Sequence, residues 1–193
     1  MKVRESGMPD EGLWETFFTP EKILQVLGFT QSVRDAADFG CGYGTFTIPA
    51  AKIISGTLYA IDIEPDMIER VREKAEKLGI HNIRYILRDF IAEGSGLGDN
   101  SVDYVMLFNI LHDERPNRIL KEGFRILKPG GKVGIIHWNY DNTTPGGPPM
   151  EIRPRPEQVR QWANDAGFRY KNICDLKPYH YGFVFEKPTR HES

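Results

Sequence analysis

An α/β fold built on one mainly parallel seven-stranded sheet, with an antiparallel C-terminal hairpin, is what this sequence predicts. Three observations carry that expectation. Short apolar runs alternate with amphipathic stretches of about 10 to 15 residues, the pattern of strand–helix–strand units with right-handed crossovers. The first apolar run ends in three alternate glycines, Gly40, Gly42 and Gly44. The last two extended runs, Arg169 to Leu176 and Tyr181 to Glu186, have no helix between them, which makes them a hairpin rather than a parallel pair.

Each element has a local reason. Pro20 opens a short helix that runs through Ile23, Leu24 and Leu27 and stops at Gly28, proline at the start and glycine past the end being the favoured arrangement. Ala36-Ala37-Asp38-Phe39 is a short buried strand cut off by glycine. Thr45 to Ile54 reads as a helix, with Pro49 warning of a late start or a kink. Thr57 to Asp62 is the second strand. Pro65 to Leu78 is the clearest helix, with Met67, Ile68, Val71, Ala75 and Leu78 on one face and Gly79 after it. Ile83 to Leu87 and the almost wholly apolar Val102 to Phe108 are the third and fourth strands. A helix from Arg115 to Leu127 is stopped by Pro129-Gly130-Gly131, and Lys132 to His137 is the fifth strand. Pro156 to Ala166 is the last helix, ended by Gly167.

Composition narrows the class. The chain has 193 residues, and its 25 Lys plus Arg against 27 Asp plus Glu leave a net charge of −2. So balanced a chain has no field with which to gather nucleic acid or an anionic membrane. Two cysteines, Cys41 and Cys174, are too few for a disulfide scaffold or a zinc module. The stretch Met1 to Gly7 lacks the apolar run of a secretory signal, and there is no apolar stretch long enough to cross a bilayer. A cytoplasmic protein is the expectation. The regular elements fill the chain, so residues 1–193 are read as one domain. Its first 19 residues carry Leu13, Trp14, Phe17 and Phe18 and form a segment packed on the body, either a lid or an aromatic cover for the core.

Ligands of such sheets bind beyond the carboxyl ends of the strands, where the strand order reverses. The first strand runs there into Asp38-Phe39-Gly40-Cys41-Gly42-Tyr43-Gly44. Glycines without Cβ atoms let the backbone turn tightly and approach a ligand, and the following helix start adds free N–H groups. The spacing departs from the G-x-G-x-x-G of dinucleotide sites. Counted from Gly40 the third glycine falls on Thr45, and counted from Gly42 it falls on Thr47.

An acid followed by G-x-G-x-G resembles the first motif of class I S-adenosylmethionine-dependent methyltransferases, and the resemblance continues along residues 20–187. Asp62-Ile63, at the end of the second strand, is similar to the family's ribose-binding acid and the residue packed on adenine. A carboxylate, acceptor-only, suits two vicinal hydroxyls. Asp89-Phe90 resembles the adenine-binding pair after the third strand. Asn109 stands at the end of the fourth strand in Phe108-Asn109-Ile110-Leu111-His112, and Leu127-Lys128-Pro129-Gly130-Gly131 looks like the turn into the fifth. The resemblance implies a Rossmann-like, doubly wound sheet. It also implies a site for S-adenosylmethionine, with S-adenosylhomocysteine as product, made by Asp38, Phe39, Gly40, Cys41, Gly42, Gly44, Asp62, Ile63, Asp89, Phe90 and Asn109. Cys41 is read as a space-filler and Cys174 as core; for Asp89 the alternative is a plain helix cap.

Methyl transfer needs alignment of the acceptor, and a base only where the acceptor loses a proton. His112 and His137 are the best-placed imidazoles, although histidines at strand ends are more often structural. Asp113 and Glu114 are read as acids of the next helix's first turn. The Pro/Gly-rich loop 142–156 is expected near the acceptor site, and its Arg153 and Arg155 are read as solvated rather than as anchors for an acid. The scattered histidines imply no metal site. No appended domain, basic stripe or Pro-Pro-aromatic motif is present, which disfavours nucleic-acid bases as acceptors. A small-molecule methyltransferase with no membrane role is therefore the leading reading. The rivals are an RNA or protein methyltransferase working with a partner subunit, and a non-catalytic S-adenosylmethionine-binding regulator. The oligomeric state is left open.

Overall fold

The structure is a computed structural model and describes residues 9–189. The reading of Met1 to Gly7, and the opening residues of the proposed lid segment, lie outside the described residues.

Seven strands form one sheet in the order β3-β2-β1-β4-β5-β7-β6. These are β1 (Ala36–Phe39), β2 (Leu58–Asp62), β3 (Ile83–Leu87), β4 (Val102–Phe108), β5 (Leu127–Trp138), β6 (Arg169–Leu176) and β7 (His180–Glu186). Pairs β1·β2, β2·β3, β1·β4 and β4·β5 are parallel, while β7 lies antiparallel between β5 and β6. The chain runs outward from β1 to β3 and then returns to β4, so the order reverses between β1 and β4.

The helices are α1 (Glu11–Glu15), α2 (Pro20–Val26), α3 (Thr47–Ile53), α4 (Pro65–Lys77), α5 (Phe90–Glu93), α6 (Pro116–Ile126) and α7 (Pro156–Asp165). Two apolar layers sandwich the sheet. Side chains of β4 alternate between them, Tyr104, Met106 and Phe108 facing the layer of α2, α3 and α4, and Val105 and Leu107 facing that of α6 and α7. The Tyr104 hydroxyl, fully buried, donates to the Leu27 carbonyl at 2.8 Å.

Several element ends differ from expectation by a residue, and two by more. Helix α3 starts at Thr47 rather than Thr45, because Gly44 and the turn after it complete the loop first; Pro49 then falls in the first turn, where its missing N–H has no intrahelical partner to lose. Strand β5 begins at Leu127, where the expectation had helix and turn. Leu127 is buried and pairs with Val102, and the register shifts before Tyr104 meets Lys132, so Pro129-Gly130-Gly131 forms an irregularity within the strand. The short α1 and α5 have too few residues to show a period; each is capped by an aspartate, Asp10 and Asp89.

Candidate functional site

The glycine loop sits at the carboxyl end of β1, beside the reversal. Gly40, Gly42 and Gly44 all adopt left-handed φ, +72°, +50° and +81°. A Cβ at Gly40 would meet Ile110 at 3.0 Å and one at Gly44 would meet Val71 at 3.1 Å, so both conformation and space require glycine. The amides of Gly40 and Cys41 donate to the Ile61 carbonyl at 2.8 and 3.1 Å, tying the loop to the end of β2.

Two carboxylates face this loop. Asp62 accepts from the Gly42 amide through one oxygen and from the Glu64 amide through the other, each at 3.0 Å. Asp38, at 3% exposure, accepts a 2.6 Å hydrogen bond from the Thr47 hydroxyl. Burial pushes Asp38 up to about 7, against the Thr47 hydrogen bond and helped by the Asp62 charge. Burial also raises Asp62, opposed by its two amide donors. Neither has a cationic partner among the described residues. The Cys41 thiol is buried and held protonated by that burial and by the two acids, which suits a space-filler and not a nucleophile.

Asp38, Gly40, Cys41, Gly42, Asp62, Asn109 and His112 all line one cavity of about 800 Å³, counted out to its mouth. The rest of its wall is mainly aromatic and includes Trp14 of α1, Tyr43, Phe46, Phe108 and Trp138. Asn109 has φ +56°, and neither its amide oxygen nor its nitrogen has a hydrogen-bond partner, although it is 7% exposed. Buried polar groups without partners are rare, and here they belong to a residue of the cavity wall.

Other expected site residues stand outside the lining. Phe39 is core, its ring 5.0 Å from that of Phe90, which is also buried. Ile63 is 38% exposed beyond β2. Asp89 caps α5, one oxygen accepting from the Ile91 and Ala92 amides at 3.1 and 2.9 Å. Gly44 shapes the loop from behind.

The two candidate histidines meet: His112 Nδ1 lies 3.3 Å from His137 Nε2. His137 is fully buried, and burial holds it well below the ordinary imidazole range; His112 is lowered to about 4, again by burial first. A third imidazole, His180, is equally buried and lowered to about 3. Its ring centre lies 4.3 Å from that of Trp138, tilted by 41°, and the two are partners in the β5·β7 register. All three are neutral at pH 7. Asp113 accepts from the Arg115 amide at 2.8 Å, just ahead of α6.

Arg153 corrects the sequence reading. It is 6% exposed, and its guanidinium donates to the carbonyls of Asn139, Asp141, Gly146 and Pro148 and to the Thr144 hydroxyl. Residues five to fourteen positions away supply all those oxygens, which no periodicity announces. Arg155 instead lies over the Tyr140 ring at 3.7 Å. The stapled loop brings Gly147 and Pro148 to the cavity wall. Gly147 lies so close to Trp138 and Arg153 that a Cβ would stand 2.8 and 2.9 Å from them, at φ +100°. Sequence reasoning missed Thr45, Glu64 and Met67 of the lining, none of which belongs to a motif.

Comparisons with known proteins agree with this geometry. A family model described as a methyltransferase domain matches residues 36–131. The sterol 24-C-methyltransferase of Aspergillus fumigatus is 32% identical over 114 residues, 56% of this chain and 30% of that protein. A demethylmenaquinone methyltransferase of a Geobacillus species is 31% identical over 106 residues, 53% of this chain and 44% of that one. This chain therefore spans less than half the length of either relative. The crystal structure of a SAM-dependent methyltransferase from Aquifex aeolicus superposes with a TM-score of 0.82 at 27% identity, covering 96% of both chains.

Proposed function

This chain belongs to the class I S-adenosylmethionine-dependent methyltransferase superfamily, and we propose that it transfers a methyl group from that cofactor to a small-molecule acceptor. The observation that carries the reading is the pair of buried carboxylates, Asp38 and Asp62, that flank the glycine loop without a cation of their own. They fit a ligand that brings both positive charge and hydroxyl donors. Asp62 would take the hydroxyls, and the backbone of Gly40, Cys41 and Gly42, with Asp38, would hold the charged end. Ile63, Asp89 and Phe90 would border the base, with Phe39 and Gly44 supporting the loop. Asn109 would close the site toward the acceptor. When bound, S-adenosylmethionine supplies a methyl on cationic sulfur, whose C–S bond breaks onto sulfur as the acceptor's lone pair bonds the methyl carbon.

The chain's own work is alignment and exclusion of water. The proton released by the acceptor passes to His112, steadied against His137. So weak a base suits a proton released as the new bond forms, when the acceptor atom is already positive, rather than one removed beforehand. The aromatic enclosure supports a small acceptor over a nucleic acid, which needs a basic track, and the sterol and demethylmenaquinone methyltransferases among the relatives are named for small molecules.

Titration calorimetry tests the reading. S-adenosylmethionine and S-adenosylhomocysteine are expected to give binding heat and NAD none; silence with both sulfur ligands would overturn it. Asp62→Ala is expected to weaken binding by about 1.5–3 kcal/mol, the worth of charge-assisted hydrogen bonds, and an unchanged affinity would remove Asp62 from the site.

A further inference from the structure

The acceptor end of the cavity has a distinctive electrostatic character. Its wall carries carboxylates, Asp38, Asp62 and Glu64, at the glycine-loop side, yet among the described residues no lysine or arginine side chain lines it. Lys74 and Arg70 reach only Tyr43 of that wall, at its carbonyl (3.0 Å) and over its ring (5.8 Å), while Arg153 stands behind Gly147 and beside the Trp138 ring at 5.9 Å. A guanidinium has five N–H donors, and the six contacts to loop oxygens at 2.7–3.1 Å occupy every one of its nitrogens. It has no N–H left to offer a carboxylate or phosphate. The uncharged polar groups that remain at the cavity are the unpartnered Asn109 amide and Thr45 hydroxyl, with His112 beside them.

We propose that this cavity takes an uncharged acceptor with a flat apolar body and a single polar head, and that Arg153 is a positioning residue which shapes the loop and does not bind the acceptor. The inference rests on the methyl-transfer reading and deepens it to a substrate class. The indoles of Trp14 and Trp138, 6.1 Å apart, and the rings of Phe46 and Phe108, 4.8 Å apart, offer faces and edges to an apolar body. An anionic acceptor entering the same space would lose its hydration with no lysine or arginine of the lining to replace it. It would also meet a neutral imidazole at His112 rather than an imidazolium donor, because burial and the Arg153 charge lower it.

A matched pair of probes separates the classes. With the protein saturated with S-adenosylhomocysteine, 2-naphthol and 2-naphthoate are titrated at neutral pH by calorimetry. The neutral naphthol is expected to bind about tenfold or more tightly than the anion, given the desolvation of an unpaired carboxylate. Equal or tighter naphthoate binding, or no heat from either, overturns the proposal. Absence of heat from S-adenosylhomocysteine itself overturns the underlying methyl-transfer reading instead, so the two failures are distinct. Arg153→Gln tests the staple: protease cleavage within residues 139–153 is expected to accelerate several-fold, since loop protection rests on those bonds, while S-adenosylhomocysteine affinity stays unchanged. Cleavage at the wild-type rate, together with selective loss of naphthoate binding, would mean that Arg153 is an anion anchor after all.

Discussion

At the scale of single residues, the chemistry concentrates in side chains whose charge is not compensated internally. Asp38 is raised to about 7 by burial, so in the free protein it keeps a proton that the unfolded chain would already have lost near its ordinary value of 3.8. A raised carboxyl favours the folded state below the unfolded pKa, and that contribution is lost as pH rises through about 7. A cationic ligand prefers the ionised form. Its affinity is therefore expected to rise from pH 5 to 7 and then level off, with protons released on binding at pH 6. Calorimetry in buffers of different ionisation heat reads the release directly, and Asp38→Asn is expected to abolish it. The neutral histidines give a second check: the ring-proton shifts of His112, His137 and His180 are expected to stay constant between pH 5 and 8. How legible these residues were depends on distance along the chain. Asp38 and the glycines announce themselves because they stand within a few residues of one another at the end of β1, and Asp62 because it ends the next apolar run. The Thr47 hydroxyl, nine residues beyond Asp38, and the Arg153 staple are held by turns whose paths no local pattern encodes.

At the scale of elements, strand period and helix period were legible wherever an element is long enough to repeat. β1, β3, β4 and β6 have the expected bounds, since each apolar run is flanked by turn formers. Five residues in α1 and four in α5 cannot repeat a 3.6-residue period, and only their caps define them. Packing between β4 and β5 gives a stability prediction. Gly134 of β5 lies against the Tyr104 phenol of β4, where an added Cβ would collide with the hydroxyl, and that hydroxyl is fixed by Leu27. Gly134→Ala is expected to destabilise by about 1–3 kcal/mol through overpacking. Tyr104→Phe alone is expected to cost about 1 kcal/mol, the worth of one hydrogen bond. In the double variant the alanine should be better tolerated, a coupling that denaturant melts of the four proteins would measure. Strict additivity would show that the phenol does not limit the site.

For the molecule as a whole, the reversal of strand order between β1 and β4 decides where everything else gathers. Loops after β1, β2 and β4 converge there, and α1 and the loop after β5 cover them side by side, Gly146 lying against Pro9 and Trp14 against Trp138. The cover is held by charge as well as by rings. Glu11 of α1 pairs with Arg70 at 2.9 Å and with Lys74, and Glu15 meets Lys74 at 3.3 Å, on α4. Lys74 also donates to the Tyr43 carbonyl at 3.0 Å. Partly exposed pairs of this kind contribute about 0–1 kcal/mol each and are screened by salt. Lys74→Met is therefore expected to leave the melting temperature almost unchanged while speeding cleavage of residues 11–18 under limited proteolysis. No acceleration would mean that the aromatic contacts alone hold the cover.

That cover has an optical consequence. The Trp14 and Trp138 indoles, 6.1 Å apart with planes 53° apart, are close enough for their excited states to mix, and a skewed pair of identical chromophores rotates polarised light as one unit. The folded protein should show a paired positive and negative circular-dichroism band in the far ultraviolet that Trp14→Phe erases. The amplitude of that band would follow, without any label, how much of the time α1 rests on β5.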